Sequence, residues 1–516
     1  MNQTFRRLSV LGAWCAGLSP ALAGGVTLIT HGFNSDVASW ILPMQGRIAH
    51  YGALSPTNTT CYTIAITKNA QGQFVAAATF ISGTNPVVAA SGEMLLKLDW
   101  SSLSSFGGTS TTNIAIAAAQ ALLATDLIPA LGGHALVEMP LHLAGHSRGA
   151  SVVAELARLL GAEGIWVDHL TTLDPVPVAS LGDPPMALYA NVLYADNYWQ
   201  NLNVLFDPQG QSFTGAYNRK LTNLTGAATS AHSDVHLWYH GTIDFTTPLT
   251  VDGATITSAE RQNWWTPFEQ QGTNAGFCLS LIGGGDRLSS AEPAGVGNGR
   301  ISDGFNRNYP LGGGSPANRI DLPANRGAWP NPILLTHTAT SPLPAGATFD
   351  FTLQHQSGTN PAVNVTLQVF LDRDANPWSG NETLVYAEVL AGTGTNATAS
   401  ATRTAPTDAA FLEPGTYRLL TRLSMDGHTR FLYAPTPVTL TPSLAAPSLV
   451  SLGLNNGAFK LRVNGFAGQK IVTEASTDLA QWTAIATNTI SGSSFDLLDE
   501  QAAGTPARFF RAFLLP

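Results

Sequence analysis

Residues 141–160, LHLAGHSRGASVVAELARLL, set a serine between two glycines, after a short apolar run and before an apolar-periodic stretch. That spacing constrains the backbone more than any other feature of the chain. Glycines at 145 and 149 let a strand and a helix approach closely across a tight turn, which pushes the Ser147 hydroxyl outward. The five-residue pattern alone recurs by chance. A strand before it and a helix after it make Ser147 an expected nucleophile rather than a turn serine.

A serine hydroxyl at neutral pH needs a general base, and the base needs an orienting carboxylate. On a strand–turn–helix elbow the chain order is serine, acid, histidine. Asp174 ends the run VDHLTTLDP, Asp196 lies at the end of the next strand-like run, NVLYADNY, and AHSDVHLWYHGTI supplies His232, His236 and His240. Two acids compete: position in the sheet favours Asp196, whereas the proline after Asp174 stiffens the turn that would aim it. His232 opens its segment, where a loop can carry it over Ser147, and His236 falls a helical turn deeper. An oxyanion hole needs two backbone N–H groups. One is expected from Arg148, the other from the loop His31-Gly32-Phe33 after the first strand. His31 itself reads as a loop-shaping residue.

The 516 residues exceed one ordinary core, so several domains are expected. Strand-like and helix-like stretches alternate over 26–245, which predicts a mostly parallel sheet with helices on both faces. The run NIAIAAAQALLATDLIPAL predicts one such helix, closed at Gly132-Gly133. Residues 246–332 have loop composition. Their RQNWWTPFEQQ reads as Trp residues packed under a loop, with a lid or acyl-chain contact as the alternative. Short β-branched runs predict a β-sandwich over 333–443 and a second small β module over 447–516. The proposed catalytic residues all precede 246, so a chain ending near 332 is expected to fold and work alone.

A net charge of −9 with no basic patch argues against nucleic acid. Arg6 and Arg7 before LSVLGAWCAGL and Ala21-Leu22-Ala23 predict a secretory signal peptide over 1–23. The mature chain then keeps two cysteines, Cys61 and Cys278, which pair in an oxidising compartment or stay buried as thiols. No Cys/His spacing suggests zinc. LDRDANPWSGNE offers oxygen ligands at Asp372, Asp374 and Asn376 but reads rather as a hairpin turn. No metal and no cofactor are expected.

HGFNSDVASW, LHLAGHSRGA, LTTLDPVPV and AHSDVHLWYHGTI together resemble, in order, the oxyanion loop, nucleophile elbow, acid segment and histidine stretch of secreted lipases of the pancreatic lipase type, in the α/β-hydrolase superfamily. The resemblance implies an α/β-hydrolase domain over 24–332 followed by the two all-β modules. It implies Ser147 as nucleophile, Asp174 as acid, His232 as base, and Phe33 and Arg148 as oxyanion donors. The expected activity is cleavage of carboxylic esters, by a lipase or esterase acting on a lipid, small-molecule or polymer ester. The rival reading is a non-catalytic secreted adhesion protein whose β modules contact surfaces or glycans. Arg148 departs from that family, which has an apolar residue after the serine, and the family's disulfide-closed lid is missing.

Overall fold

The structure, a computed structural model, describes residues 24–51, 54, 59–84, 93–202, 207–224, 230–243, 250–251, 254–265, 276–277, 319–322, 328–339, 342–358, 363–394, 397–407 and 412–515. The signal-peptide reading and Cys278 lie outside these residues, and Cys61 is a buried free thiol.

The first part of the chain is β1 (Val26–Thr30), α1 (Ile41–Ile48), β2 (Thr59–Lys68), β3 (Phe74–Gly83), β4 (Glu93–Asp99) and α2 (Thr111–Leu123). It continues as β5 (Leu141–His146), α3 (Arg148–Ala162), β6 (Val167–Leu173), β7 (Val192–Trp199), β8 (Tyr217–Lys220) and α4 (Ala231–Ile243). Their strands form one eight-stranded sheet in the order β3-β2-β4-β1-β5-β6-β7-β8. Neighbours run parallel except at the β2–β3 hairpin. Period-two alternation splits the side chains. Leu28, Leu96, Leu143 and Leu170 join a cluster with α2 and α3, whereas Ile29, Leu95, Ala144 and Leu173 join one with α1 and α4. The chain enters mid-sheet and winds outward both ways, so β1, β5 and β6 end along one edge, where α/β crevices bind ligands. The helix expected through residue 131 ends at Leu123, and Pro129 opens a separate 3₁₀ turn.

Beyond α4, β9 (Thr250–Val251), β10 (Ala254–Thr255) and α5 (Ser258–Trp264) are the only described elements before 330. Trp264 and Trp265 are buried, and Trp265 Nε1–H donates to Trp238 O at 3.2 Å, so these two rings are core packing; residues 266–271 of the same segment lie outside the described residues. From Pro330 to Thr441, eight strands follow: β11 (Pro330–His337), β12 (Leu343–Pro344), β13 (Thr348–Ser357), β14 (Val365–Asp372), β15 (Thr383–Leu390), β16 (Ala399–Pro406), β17 (Gly415–Met425) and β18 (His428–Thr441). They form sheets β11-β13-β16 and β12-β18-β17-β14-β15. Loop 372–382 is a chain of Asx turns: Asp372, Asp374 and Asn376 each accept an N–H two residues on, closing the turn between β14 and β15. The last strands, β19 (Ser448–Asn455), β20 (Ala458–Asn464), β21 (Lys470–Ser476), β22 (Thr483–Thr489), β23 (Ser494–Asp499) and β24 (Phe509–Leu514), make two three-stranded sheets around Leu461, Val463, Ile471 and Ile490.

The expected fold class, a mostly parallel α/β-hydrolase domain followed by two all-β modules, is corrected. Strands take 43% and helix 18%, with five α-helices among the described residues and several small antiparallel sheets. The reason is that the antiparallel pairs after residue 330 outweigh the parallel layer, and β3 turns even the large sheet mixed.

The boundary at 332 is a seam in sequence and not in packing. Leu353, Leu367 and Leu423 belong to the same apolar cluster as Leu143 and Val153. Arg430 on β18, only 2% exposed, donates to the carbonyls of Trp166 (2.9 Å) and Met139 (3.2 Å), to Asn331 Oδ1 (2.7 Å) and to Asp168 Oδ2 (3.3 Å). Burial pushes the Asp168 carboxyl up to about 6 even against the pull of that guanidinium.

Candidate active site

Ser147 sits between the end of β5 and the start of α3 with φ 59° and ψ −125°. A Cβ on Gly145 would lie 2.2 Å from Gly149 O, and one on Gly149 would lie 2.4 Å from His31 O, so both flanking positions exclude a side chain. The elbow is pinned by Ser147 N–H to Leu173 O (2.9 Å) and by Val176 N–H to Ser147 O (3.3 Å), the two residues that bracket Asp174. Six described non-glycine residues have positive φ, and three of them, Asn34, Ser147 and Asp174, stand at this edge of the sheet. Such strain costs about 1–3 kcal/mol per residue and gathers where a site over-determines its backbone.

Asp174 leaves β6 fully buried. It accepts the backbone N–H of Gln200 on Oδ1 (2.8 Å), and Gln200 Nε2 on Oδ2 (2.8 Å). Its Oδ2 also takes His232 Nδ1 at 2.6 Å. A carboxylate can only accept, so Nδ1 carries a proton, and Nε2 makes no hydrogen bond among the described residues. His232 is set at the start of α4 by Asp207, whose carboxylate accepts His232 N–H (3.1 Å) and the Ser230 hydroxyl. His146, the residue before Ser147, donates Nε2–H to His232 O at 2.9 Å and lies 4.4 Å ring to ring from it. Burial, then the neighbouring His232 and His236, hold His146 well below the ordinary histidine range, so it stays neutral. Among the described residues Ser147 Oγ makes no hydrogen bond.

The rival residues are occupied elsewhere. Asp196 accepts His169 Nε2 (2.9 Å), the Thr171 hydroxyl (2.6 Å) and the Tyr198 hydroxyl (2.8 Å) inside the sheet. His236 stacks on Trp40 at 4.4 Å, and burial, with His232 and His240 nearby, pushes it down to about 3. His31 is buried and spends its ring on structure. Nε2 accepts Trp100 N–H (3.2 Å), Nδ1 faces Gly32 O (3.0 Å), and the ring stacks on Trp100.

Arg148 opens α3, so its N–H is among those a helix leaves unsatisfied beside the serine. Its guanidinium does not enter the site. It is fully buried in a bidentate pair with Asp183 (2.6 and 2.7 Å), and donates to Ser104 O (3.0 Å) and Thr109 O (2.8 Å). Phe33 follows Gly32, where a Cβ would fall 2.9 Å from Ser147 Oγ, so this loop borders the hydroxyl directly.

Gln200, Asp207, His146 and Asp183 were not singled out by the sequence reading. The Asp-Pro steps at 207 and 183 are turn signals that could have marked two of them. Gln200 and His146 carry no local signal. No group of three or more His, Cys, Asp or Glu among the described residues could hold a metal ion.

No family model and no curated protein matches the chain. Similar solved structures include the C-terminal domain of wzt, at 12% identity and TM-score 0.16, covering 22% of this chain and 74% of that one. The BSP domain of a biofilm associated protein follows at 13% and 0.13, covering 36% and 26%. A red sea bream transglutaminase stands at 12% and 0.14, covering 35% and 27%. The chain thus spans about a quarter of the length of the last two. The resemblance to secreted lipases of the pancreatic type is corrected: no family model carries it, and the chain is mostly β. Four short motifs encode local turns and caps, which do not by themselves define a family.

Proposed function

We propose that the chain is a serine hydrolase that cleaves carboxylic esters through an acyl-enzyme. The observation that carries this reading is the 2.6 Å Asp174–His232 hydrogen bond, beside a serine held at φ 59° on a two-glycine elbow. Ser147 Oγ attacks the ester carbonyl while His232 Nε2 takes its proton, a contact that closes as substrate binds. Asp174 holds the imidazole in the Nδ1–H tautomer and stabilises the imidazolium. The N–H groups of Arg148 and Phe33 receive the oxyanion. His232 then protonates the leaving alcohol, and water, deprotonated by the same ring, releases the acid. No step needs a cofactor. The basic and then apolar opening of the chain supports an exported protein, and the β modules are where an insoluble ester or a glycan surface would be met.

The test is covalent labelling by a fluorophosphonate probe together with turnover of p-nitrophenyl butyrate. Wild type should label and turn over. Ser147→Ala should lose both, with a fall in kcat on the order of a million-fold. A wild-type protein that neither labels nor hydrolyses any ester would leave the adhesion reading in its place.

A further inference from the structure

Phe106 is 79% exposed, the most exposed large apolar side chain described. Such a ring, taken alone, needs no explanation. Its placement does. It meets Phe33 edge to face at 4.7 Å, and Phe33 follows Gly32, which touches Ser147. Phe106 rides on a loop whose two ends are held by one side chain. Arg148 Nη1 donates to Ser104 O and Nη2 to Thr109 O, at 3.0 and 2.8 Å. The same guanidinium lies over the Trp100 ring at 5.2 Å, and its partner Asp183 accepts Thr111 N–H at the first turn of α2. The residue after the serine therefore anchors the loop that brings Phe106 to the oxyanion loop. Gly107, at φ 80°, and Gly108, whose Cβ would meet Leu103 O at 2.0 Å, let this short loop bend and turn the ring outward.

We infer that Phe106, backed by Phe33, is a subsite for the apolar alkyl chain of an ester, with Arg148 positioning the loop that carries it. The inference rests on the hydrolase reading above. A ring projecting into water beside the reacting carbonyl gains by covering methylene groups of substrate, each worth several-fold in affinity. A two-carbon chain offers it the least apolar surface to cover, so the subsite discriminates by chain length.

The experiment compares wild type, Phe106→Ala and Phe106→Leu in two ester series. One lengthens the acyl chain from acetate to dodecanoate on p-nitrophenol, and the other lengthens the alcohol on a fixed butyrate. With so exposed a ring, Phe106→Ala keeps the fold, and Ser147 should label with fluorophosphonate at the wild-type rate. Its ratio of kcat/KM on the long chain to kcat/KM on acetate should fall about tenfold, the loss of contact with about two methylenes. Phe106→Leu should recover most of that loss. A response confined to the acyl series or to the alcohol series assigns the chain that lies there, and either supports the subsite. Identical chain-length profiles in wild type and Phe106→Ala, with labelling intact, overturn it. Absence of labelling in wild type overturns the hydrolase reading instead.

Discussion

Replacing Arg430 by Met tests whether the large sheet and the β-sandwich fold as one unit. Met keeps most of the side chain's length and apolar body but removes every donor. Four acceptors lose a partner, and they are not equivalent. Asn331 Oδ1 still receives Trp166 N–H (2.9 Å), and Asp168 Oδ2 still receives Leu141 N–H (2.8 Å). The carbonyls of Trp166 and Met139 lose a donor in a buried place, at about 1–3 kcal/mol each. Asp168 loses the buried counter-charge of Arg430, and breaking such a pair costs about 3–5 kcal/mol. This last loss depends on pH. With Arg430 present the Asp168 carboxyl already stands at about 6, and without it the carboxyl rises further and takes up a proton instead of staying charged. At pH 5 both proteins hold Asp168 largely neutral, so the deficit of the variant reduces to the two carbonyls. At pH 8 the variant must hold that proton against the solvent, and the added cost appears. Urea unfolding followed by tryptophan fluorescence, to which Trp166 at the junction contributes, should show the gap between wild type and Arg430→Met widening by about 2 kcal/mol from pH 5 to pH 8. Adding Asp168→Asn should close most of that widening. A gap under 1 kcal/mol at pH 8, or one equal at both pH values, would refute the reasoning. The expectation that a chain ending near 332 folds alone changes with it: that piece carries Asp168 without Arg430 and half of a shared core.

The acid assignment separates cleanly. Asp174→Asn should lower kcat on a soluble ester by about 10⁴, and Asp196→Asn should keep most turnover while losing stability, since its partners are His169, Thr171 and Tyr198. The reverse pattern, read from kcat of the two single variants, would place the acid on β7. Asp372 supplies a second pH dependence. Burial, with Asp374 and Glu382 nearby, pushes its carboxyl up to about 7 against the Tyr433 hydroxyl bond. A carboxyl raised in the folded state holds its proton more tightly there, so its contribution is full below pH 4 and is lost as pH rises toward 7. The loss is about 4 kcal/mol at 1.36 kcal/mol per unit. Asp372→Asn should therefore stabilise the protein at pH 8 and leave it unchanged at pH 4 in thermal unfolding; equal melting temperatures at pH 8 would count against it.

What could be read from the sequence was what neighbours in sequence decide. The elbow at 145–149 is local, since two glycines and the apolar runs beside them fix how the backbones approach. Asp174 and Asp196 were not separable, because each ends an apolar run and only the third dimension hands Asp196 to His169. Nor did any local pattern point to His146 or Gln200, whose roles come from the carbonyl and the carboxylate that the sheet brings to them. The fold class failed for a related reason. The two β modules after 332 were legible as short β-branched runs, but their share of the chain was not weighed against the parallel layer, and neither the packing of β11–β18 on the large sheet nor the β3 hairpin that makes that sheet mixed shows in any local pattern. Arg430, 262 residues from Asp168, left no trace in the sequence reading.

Arg148 carries an evolutionary consequence. Under the proposed hydrolase reading, one position serves the chemistry through its backbone and the loop through its side chain, so its codon answers to two selective pressures at once. Exchange for an apolar residue leaves the N–H in place but strands the Asp183 carboxylate without its bidentate partner and frees two carbonyls of the Phe106 loop. A lineage can cross that barrier only by losing the acid as well. Positions 148 and 183 are therefore expected to change together, whereas the exposed Phe106, which holds neither loop end, is where the proposed chain-length preference would drift first.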